Sequence, residues 1–411
     1  MLRTDILKKH NLLEILKTVR EHGPITKPKI AALTGLAGAT VHNLVTELCA
    51  GGIIAEDGIA NSNGGRKASI FRFNESKYQI IGINVGAEAT TIISFDMNIN
   101  PINKSAVRFA LAEHSVEEGI AFLEDSIDSF IEKAALSKED ILGIGISVPG
   151  PVNSDEGKII RLICAPDWVK IPLGNILARH LDIPVFVGND SNNTALYLHD
   201  SEKNRNISNM VFVSTTNGIG TGIIINGKLF HGSHFVSGEI GHISVNLSGE
   251  ECTCGNKGCI EQVASGAGIL KIAENAIAHG QDSKLSAALK DGKGGLDMND
   301  IIQAAKENDA YTLSLLESAA SYISICIGDI IRIYDPEKIV VSSGWLGSFP
   351  DIYNSIKNSV YEKNNLINRD SVAIDLAQED DLFALGGAAM VMDYHLNETE
   401  RSSFLEKADS F

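Results

Sequence analysis

The sequence predicts an α/β protein in which a winged helix-turn-helix head precedes two duplicated α/β halves. Three observations carry that expectation. Residues 1–75 contain three amphipathic helical runs followed by two strand-like runs around a Gly/Asn-rich turn. Behind them, a unit of strand, glycine turn and strand occurs at 80–95 and again at 209–230. One imidazole and three thiols (His242, Cys252, Cys254 and Cys259) then fall within eighteen residues.

At 411 residues the chain exceeds one ordinary core, so two or three domains are expected. A hydrophobic content of 44% and 38 glycines suit a globular α/β protein with tight turns. No apolar run is expected to reach the length needed to cross a bilayer, and residues 1–21 are charged and amphipathic, unlike a secretory leader. The chain therefore reads as cytoplasmic. The net charge of −17 is uneven: residues 1–75 carry ten Lys/Arg against seven acids, so the head is +3 and the rest −20. An acidic body behind a mildly basic head fits a protein whose head alone approaches phosphates, although +3 also fits an ordinary solvated surface.

In the head, Leu12, Leu13, Ile15, Leu16 and Val19 make one stripe of a helix over 11–22, ended by Gly23 and Pro24. Thr26 is placed to cap a short helix over 27–33 that tolerates Pro28 in its first turn. Thr34, Gly35 and Leu36 turn the chain into a third helix over about 38–50, with Val41, Leu44, Val45 and Leu48 facing inward. Two strands follow around a turn at 61–65. In a winged helix the third helix enters the major groove, and its outward positions here are Gly38, Thr40, His42 and Asn43. Thr40 and Asn43 offer polar groups to a phosphate or base edge, and Gly38 allows close backbone approach. Lys27, with Arg66 and Lys67 at the hairpin tip, adds positive charge for phosphate or minor-groove contact. Winged helices also serve as protein-interaction modules; the polar face together with the basic tip favours DNA.

The body continues the alternation. Residues 141–153 form a buried strand entering a Pro/Gly loop, and 183–196 form a strand ending at Asn189 and Asp190 before a helix. A long helical stretch starts at Ser265, residues 338–347 form a last strand, and ALGGAAMVMDY closes the chain as a helix. The expected divisions are 1–75 for the head, 76–200 and 201–395 for two lobes, and 396–411 for a tail.

The thiols stand as C-x-C-x4-C, with Gly255 and Gly258 letting the backbone turn tightly between them. A disulfide pair with a spare thiol is one outcome of this spacing. In a reducing compartment, Cys3His coordination of a structural Zn²⁺ is the expected one. Glu239, three residues before His242, and Glu261, two after Cys259, would then be fixed beside the metal as parts of a rigid binding site.

These motifs make the sequence similar to the ROK family of sugar kinases and sugar-responsive repressors over essentially its whole length. The residues carrying the resemblance are GGRK in the wing, VPGPV at 148–152, GND at 188–190, GIGTGIIINGKLFHG at 218–232, EIGH, and CxCGxxGCxE. The resemblance implies a ribonuclease H/actin-like ATPase fold, a sugar in the interlobe cleft, and a zinc whose ligand His242 also touches the sugar. It also implies that Asp190 would be the general base in a kinase, with Asn189, Glu239 and Glu261 on sugar hydroxyls. The winged head places the chain beside the family's xylose-, N-acetylglucosamine- and glucose-type repressors.

Two departures bear on function. The first phosphate turn of this superfamily usually reads D-x-G-G-T; here Asn84 replaces the Asp, Ala87 the second Gly, and Glu88 puts negative charge where phosphate should lie. The second turn, usually G-T-G, here begins Thr216, Asn217, Gly218. Phosphoryl transfer depends on metal positioning and charge stabilisation, so ATP and Mg²⁺ are not expected. The expectation is a homodimeric or tetrameric repressor that binds a palindromic operator and responds to a sugar or sugar phosphate. A bifunctional sugar kinase with a DNA-binding head, and a module regulated by a phosphotransferase-system protein, are the alternatives. In the head, Ala37 occupies the cap where relatives have Ser, and Asn43 stands where they have Arg, which lowers the expected salt dependence.

Overall fold

The structure is a computed structural model that describes residues 3–60, 68–201, 203–290, 295–363, 371–377 and 379–397. The head comprises α1 (Arg3–His22), β1 (Ile25–Thr26), α2 (Lys27–Thr34), α3 (Gly38–Ala50), β2 (Ile54–Ile59) and β3 (Ser69–Phe73). α1 starts well before its apolar stripe, and its polar first half is tied to α3 by Lys8 and Glu47 at 2.8 Å. α3 has the expected bounds and buries Val41, Leu44, Val45 and Leu48. Thr26 and Ala37 both precede their helices in extended backbone, and neither gives a side-chain cap, so the expected Thr26 cap bond is not made. Pro28 removes one amide that would have needed it. The strands pair in the order β1-β3-β2 to form the wing. The hairpin tip, with Arg66 and Lys67, lies outside the described residues.

The first lobe contains β4 (Gln79–Val85), β5 (Ala89–Phe95), β6 (Pro101–Arg108), α4 (Val116–Lys133), β7 (Ile141–Val148), β8 (Val152–Asn153), β9 (Lys158–Arg161), β10 (Val169–Ile171), α5 (Leu173–Leu181), β11 (Val185–Asn189) and α6 (Asp190–Asp200). The second contains β12 (Met210–Ser214), β13 (Gly220–Ile225), β14 (Lys228–Leu229), α7 (Glu261–Ala264), α8 (Gly266–Ala278), α9 (Leu285–Lys290), α10 (Met298–Lys306), α11 (Ala310–Tyr334), β15 (Lys338–Val341), α12 (Pro350–Lys363) and β16 (Ala373–Leu376), before the closing α13 (Leu382–Asn397). The main sheets run β11-β7-β4-β5-β6 and β14-β13-β12-β15-β16. In each, an antiparallel three-strand meander continues into two parallel strands, so one topology occurs twice. This is the duplicated, two-lobed actin-like arrangement the sequence leads one to expect.

One expected division needs correction. α13 falls in the 201–395 stretch but packs on β4 and β7 of the first sheet. Glycines permit it: Gly82 and Gly145 are paired in register across β4 and β7. A side chain at either would overlap the α13 backbone, at the Ala384 and Gly387 carbonyls respectively. α6 lies on the inner face of the second sheet, against β12 and β13, and packs on α13. The order between the lobes is therefore first sheet, α13, α6, second sheet.

The reading of the chain for membrane spans is also corrected. α11 has the length and apolarity to cross a bilayer. Its apolar side is instead spent on the second lobe's core, where Leu316, Ala319, Ile323, Ile327 and Ile331 are buried.

Replacing Gly145 with Ala should prevent α13 from seating and lower stability by more than about 3 kcal/mol, as overpacking against backbone does. Gly38, the first residue of α3 with nothing near its missing side chain, should instead gain a fraction of about 1 kcal/mol as Ala. Urea unfolding checks both, and a Gly145→Ala protein of native stability would contradict the packing described.

Candidate functional site

The two lobes enclose a cavity of about 470 Å³, and Asn189, Asp190, Glu239, His242 and Glu261 all line it. Each arrives on a different local device. β11 delivers Asn189 to the N-cap of α6, where its Oδ1 accepts from the Asn192 amide at 3.0 Å and its Nδ2 donates to the Gly150 carbonyl at 3.2 Å. Asn189, and not Asp190, is thus the helix cap, and part of its hydrogen-bonding capacity is committed to the fold. Asp190 Oδ1 accepts from the Ser191 amide at 2.6 Å and from its hydroxyl at 3.1 Å. Glu239 follows Gly238, whose φ of +89° and close approach to the Thr221 carbonyl only glycine tolerates. Glu261 opens α7, and its Oε2 accepts from the Ile219 amide of the second glycine turn at 3.0 Å.

These carboxylates influence one another. Burial, with repulsion from Glu261 adding to it, pushes the Asp190 carboxyl up to about 6, although the Ser191 bonds act the other way. Burial, then the charges of Asp190 and Glu261, push Glu239 up to about 7. A cluster of this kind favours a ligand whose hydroxyls donate to it and disfavours an anion.

The thiols and the imidazole converge beside the cavity. His242 Nδ1 is 3.6 Å from Cys252 Sγ, and Cys254 Sγ is 3.7 Å from Cys259 Sγ. All four ligand atoms lie within 4.8 Å of one another. A tetrahedral ion with metal–sulfur and metal–nitrogen bonds of about 2.3 and 2.0 Å needs N···S and S···S separations of about 3.6 and 3.8 Å. The His242–Cys252 and Cys254–Cys259 separations match that demand, and the four side chains could hold a metal ion. The disulfide alternative fails, since all three thiols are free and a bond needs about 2.0 Å. Gly255 and Gly258 make the turns, at φ +93° and +63°. The other imidazole nitrogen, Nε2, faces Glu239 Oε2 at 3.8 Å, so one ring spans the metal cluster and the cavity.

Asn84, Ala87, Asn217 and Gly218 line the same cavity, so both altered glycine turns face it. Glu88 does not. Its side chain is 77% exposed and faces Arg108 at 3.6 Å, because β5 and β6 pair beside the turn and draw the charge outward. The expectation that Glu88 occupies the phosphate position is thereby corrected. Cys164, Thr253, Gln262 and Lys271 also line the cavity. Lys271 reaches Glu250 at 2.6 Å. The sequence carries no local signal for these residues apart from Thr253 and Gln262, which lie in or next to the cysteine motif.

On the head, Gly38, His42 and Asn43 are exposed and Thr40 half-buried along one face of α3. Lys27 joins that face: its Nζ lies 3.2 Å from His42 Nδ1 and 5.0 Å above the Phe71 ring.

Comparison with known proteins places these features together. The ROK family profile matches residues 80–394, and a winged helix-turn-helix DNA-binding profile matches residues 9–55. The chain is 29% identical over 400 residues to the xylose repressor of Caldicellulosiruptor bescii, covering 96% of this chain and 98% of that one. It is 27% identical over 395 residues to the Escherichia coli DNA-binding transcriptional dual regulator NagC, covering 96% and 95%. The crystal structure of a ROK family transcriptional regulator, a homolog of the E. coli MLC protein, superposes with a TM-score of 0.82 at 24% identity, covering 99% of this chain and 100% of that one.

The raised carboxyls have a consequence for stability. An acid whose folded pKa exceeds its unfolded one binds more protons when folded, so its contribution is greatest below the unfolded value and is lost as pH rises to the folded one. For Glu239 that window runs from the ordinary carboxylate range to about 7. Without ligand or metal, the unfolding free energy should fall between pH 5 and 7.5, and Glu239→Gln should remove on the order of 1 kcal/mol of that fall. An unchanged pH slope in the variant would contradict the assignment.

Proposed function

The chain belongs to the ROK family, and on that premise we propose that it is a sugar-responsive DNA-binding repressor of carbohydrate catabolism genes. The observation that carries this reading is the joining, in one chain, of a winged head to an interlobe cavity with Asp190, Glu239, His242 and Glu261 on its wall. Asn189, Asp190, Glu239 and Glu261 accept from or donate to sugar hydroxyls, and His242 contributes Nε2 from the metal cluster. Zn²⁺ is the metal we assign to His242, Cys252, Cys254 and Cys259, since borderline-soft tetrahedral N/S coordination suits it and a closed set leaves no place for catalytic water. The carboxylate cluster favours an uncharged sugar over a sugar phosphate.

On the head, Gly38, Thr40, His42 and Asn43 face base edges and nearby phosphates, with Lys27 and the tip residues Arg66 and Lys67 on the backbone. The protein acts in the cytoplasm as a homodimer on a palindromic operator, each half-site taking one winged helix. Sugar changes operator affinity to the extent that it binds the DNA-competent and incompetent states unequally.

A second reading, a sugar kinase retaining a DNA-binding head, has one observation in its favour: Asp190 sits in the cavity with its pKa raised to about 6, suitable for a general base. Against it, Asn84 and Asn217 stand at the two turns that would hold phosphate and Mg²⁺.

Titrating the protein against upstream DNA with xylose, glucose, N-acetylglucosamine and their 6-phosphates should find one sugar that changes operator affinity by about 10-fold or more. If none does, the sensor reading fails. A coupled ADP-release assay with the same sugars should show no turnover; turnover abolished by Asp190→Asn would establish the kinase instead.

A further inference from the structure

α6 connects the two places on which the proposed function depends. Its first residue, Asp190, lines the cavity, and Asn189 caps its first turn. Its last residue, Asp200, pairs with Arg20 near the end of α1 at 2.7 Å. The Arg20 side chain is only 10% exposed there, against 48% for Lys8 in its pair with Glu47. An ion pair whose cation is that enclosed is less screened than an exposed one. The Asp200 carbonyl also accepts from Arg205 at 2.8 Å, which fixes this end of the helix.

The helix is held tightly along its length. A side chain at Gly222 of β13 would overlap the Ser191 carbonyl, and one at Gly386 of α13 would come within 2.6 Å of the Asn193 and Thr194 backbone. α6 therefore touches both lobes at backbone distance, and close-packed elements move as rigid bodies. At 1.5 Å per residue, such a helix is a rod of roughly 16 Å.

The head is attached elsewhere through the wing. Phe71, Phe73, Tyr78, Ile80 and Phe95 share one buried cluster across the β3–β4 junction, and α1 also touches α13. Next to the Arg20–Asp200 pair, by contrast, the seam is hollow: a cavity of about 770 Å³ is bounded by Lys17, Arg20, Asn192 and His199 among others. Close packing does not fix the tilt of the head on that side, and the ion pair crosses the gap.

We propose that the Arg20–Asp200 ion pair is the link by which closure of the cavity around Asp190 is passed along α6 to the winged head. The wing junction acts as the pivot and the ion pair as the point where the rod pushes on α1. This proposal rests on the sensor reading above.

The test uses the full-length protein, DNA selected by the wild type from a random pool, and xylose, glucose and N-acetylglucosamine as probes. Asp200→Asn removes the charge at constant size, away from both the interlobe cavity around Asp190 and the DNA face. The variant should bind the DNA within about 3-fold of wild type, keep the sugar-induced rise in melting temperature, and lose the sugar effect on DNA affinity, from about 10-fold or more to under about 2-fold. The exchanged pair, Arg20→Asp with Asp200→Arg, should recover the effect. A full sugar response in Asp200→Asn would overturn the link while leaving the sensor intact. A wild type that none of the three sugars moves would overturn the sensor reading and the link together.

Discussion

The imidazole of His242 belongs to two structures at once. Its Nδ1 faces Cys252 in the metal cluster, and its Nε2 faces Glu239 in the interlobe cavity. Metal coordination through one ring nitrogen fixes the ring and the tautomer of the other. The ring stands beside Glu239, a carboxyl whose pKa burial and the charges of Asp190 and Glu261 push up. Without that constraint, the loop around residues 238–261, which contains little regular structure, would have to order two cavity carboxylates, Glu239 and Glu261, and a histidine by backbone bonds alone. A metal held by His242, Cys252, Cys254 and Cys259 would therefore shape the wall of the cavity as well as the loop that carries it.

The two duplicated sheets explain why the cavity can respond to what fills it. Each lobe has its own core, and the helices between them, α6 and α13, meet the sheets and each other at glycine contacts. Such interfaces are close to all-or-none: they slide or tilt as units but do not deform gradually. A ligand gripping Asp190 from one side and Glu239 from the other acts across the seam between the lobes. The head is joined to the first lobe through the wing and to α6 through Arg20.

What the sequence made legible was local. The Cys3His set is written in eighteen consecutive residues, and α3 carries its own apolar stripe and ends where its pattern ends. The strand–turn–strand repeat announced two lobes. What stayed hidden depends on partners far along the chain. The return of α13 to the first sheet is decided by Gly82 and Gly145, more than two hundred residues upstream, and neither glycine advertises a helix above it. Glu88 reads as charge in a phosphate turn until β6 brings Arg108 beside it. Asn189 reads as a ligand contact until Gly150 and the α6 amides claim part of it. The Thr26 cap shows the limit of residue-type rules: the position was right, and the bond was not formed.

Sugar recognition held in place by the metal is the central claim, and it can be tested without reference to DNA. Calorimetry would measure binding of the responsive sugar to zinc-loaded protein and to protein stripped by a chelator but still folded by circular dichroism. The sugar should bind the loaded protein, and binding should be lost, or fall by at least about 10-fold, in the stripped one. Equal affinity in both would mean that Glu239, His242 and Glu261 are positioned without the metal, and would contradict the central claim.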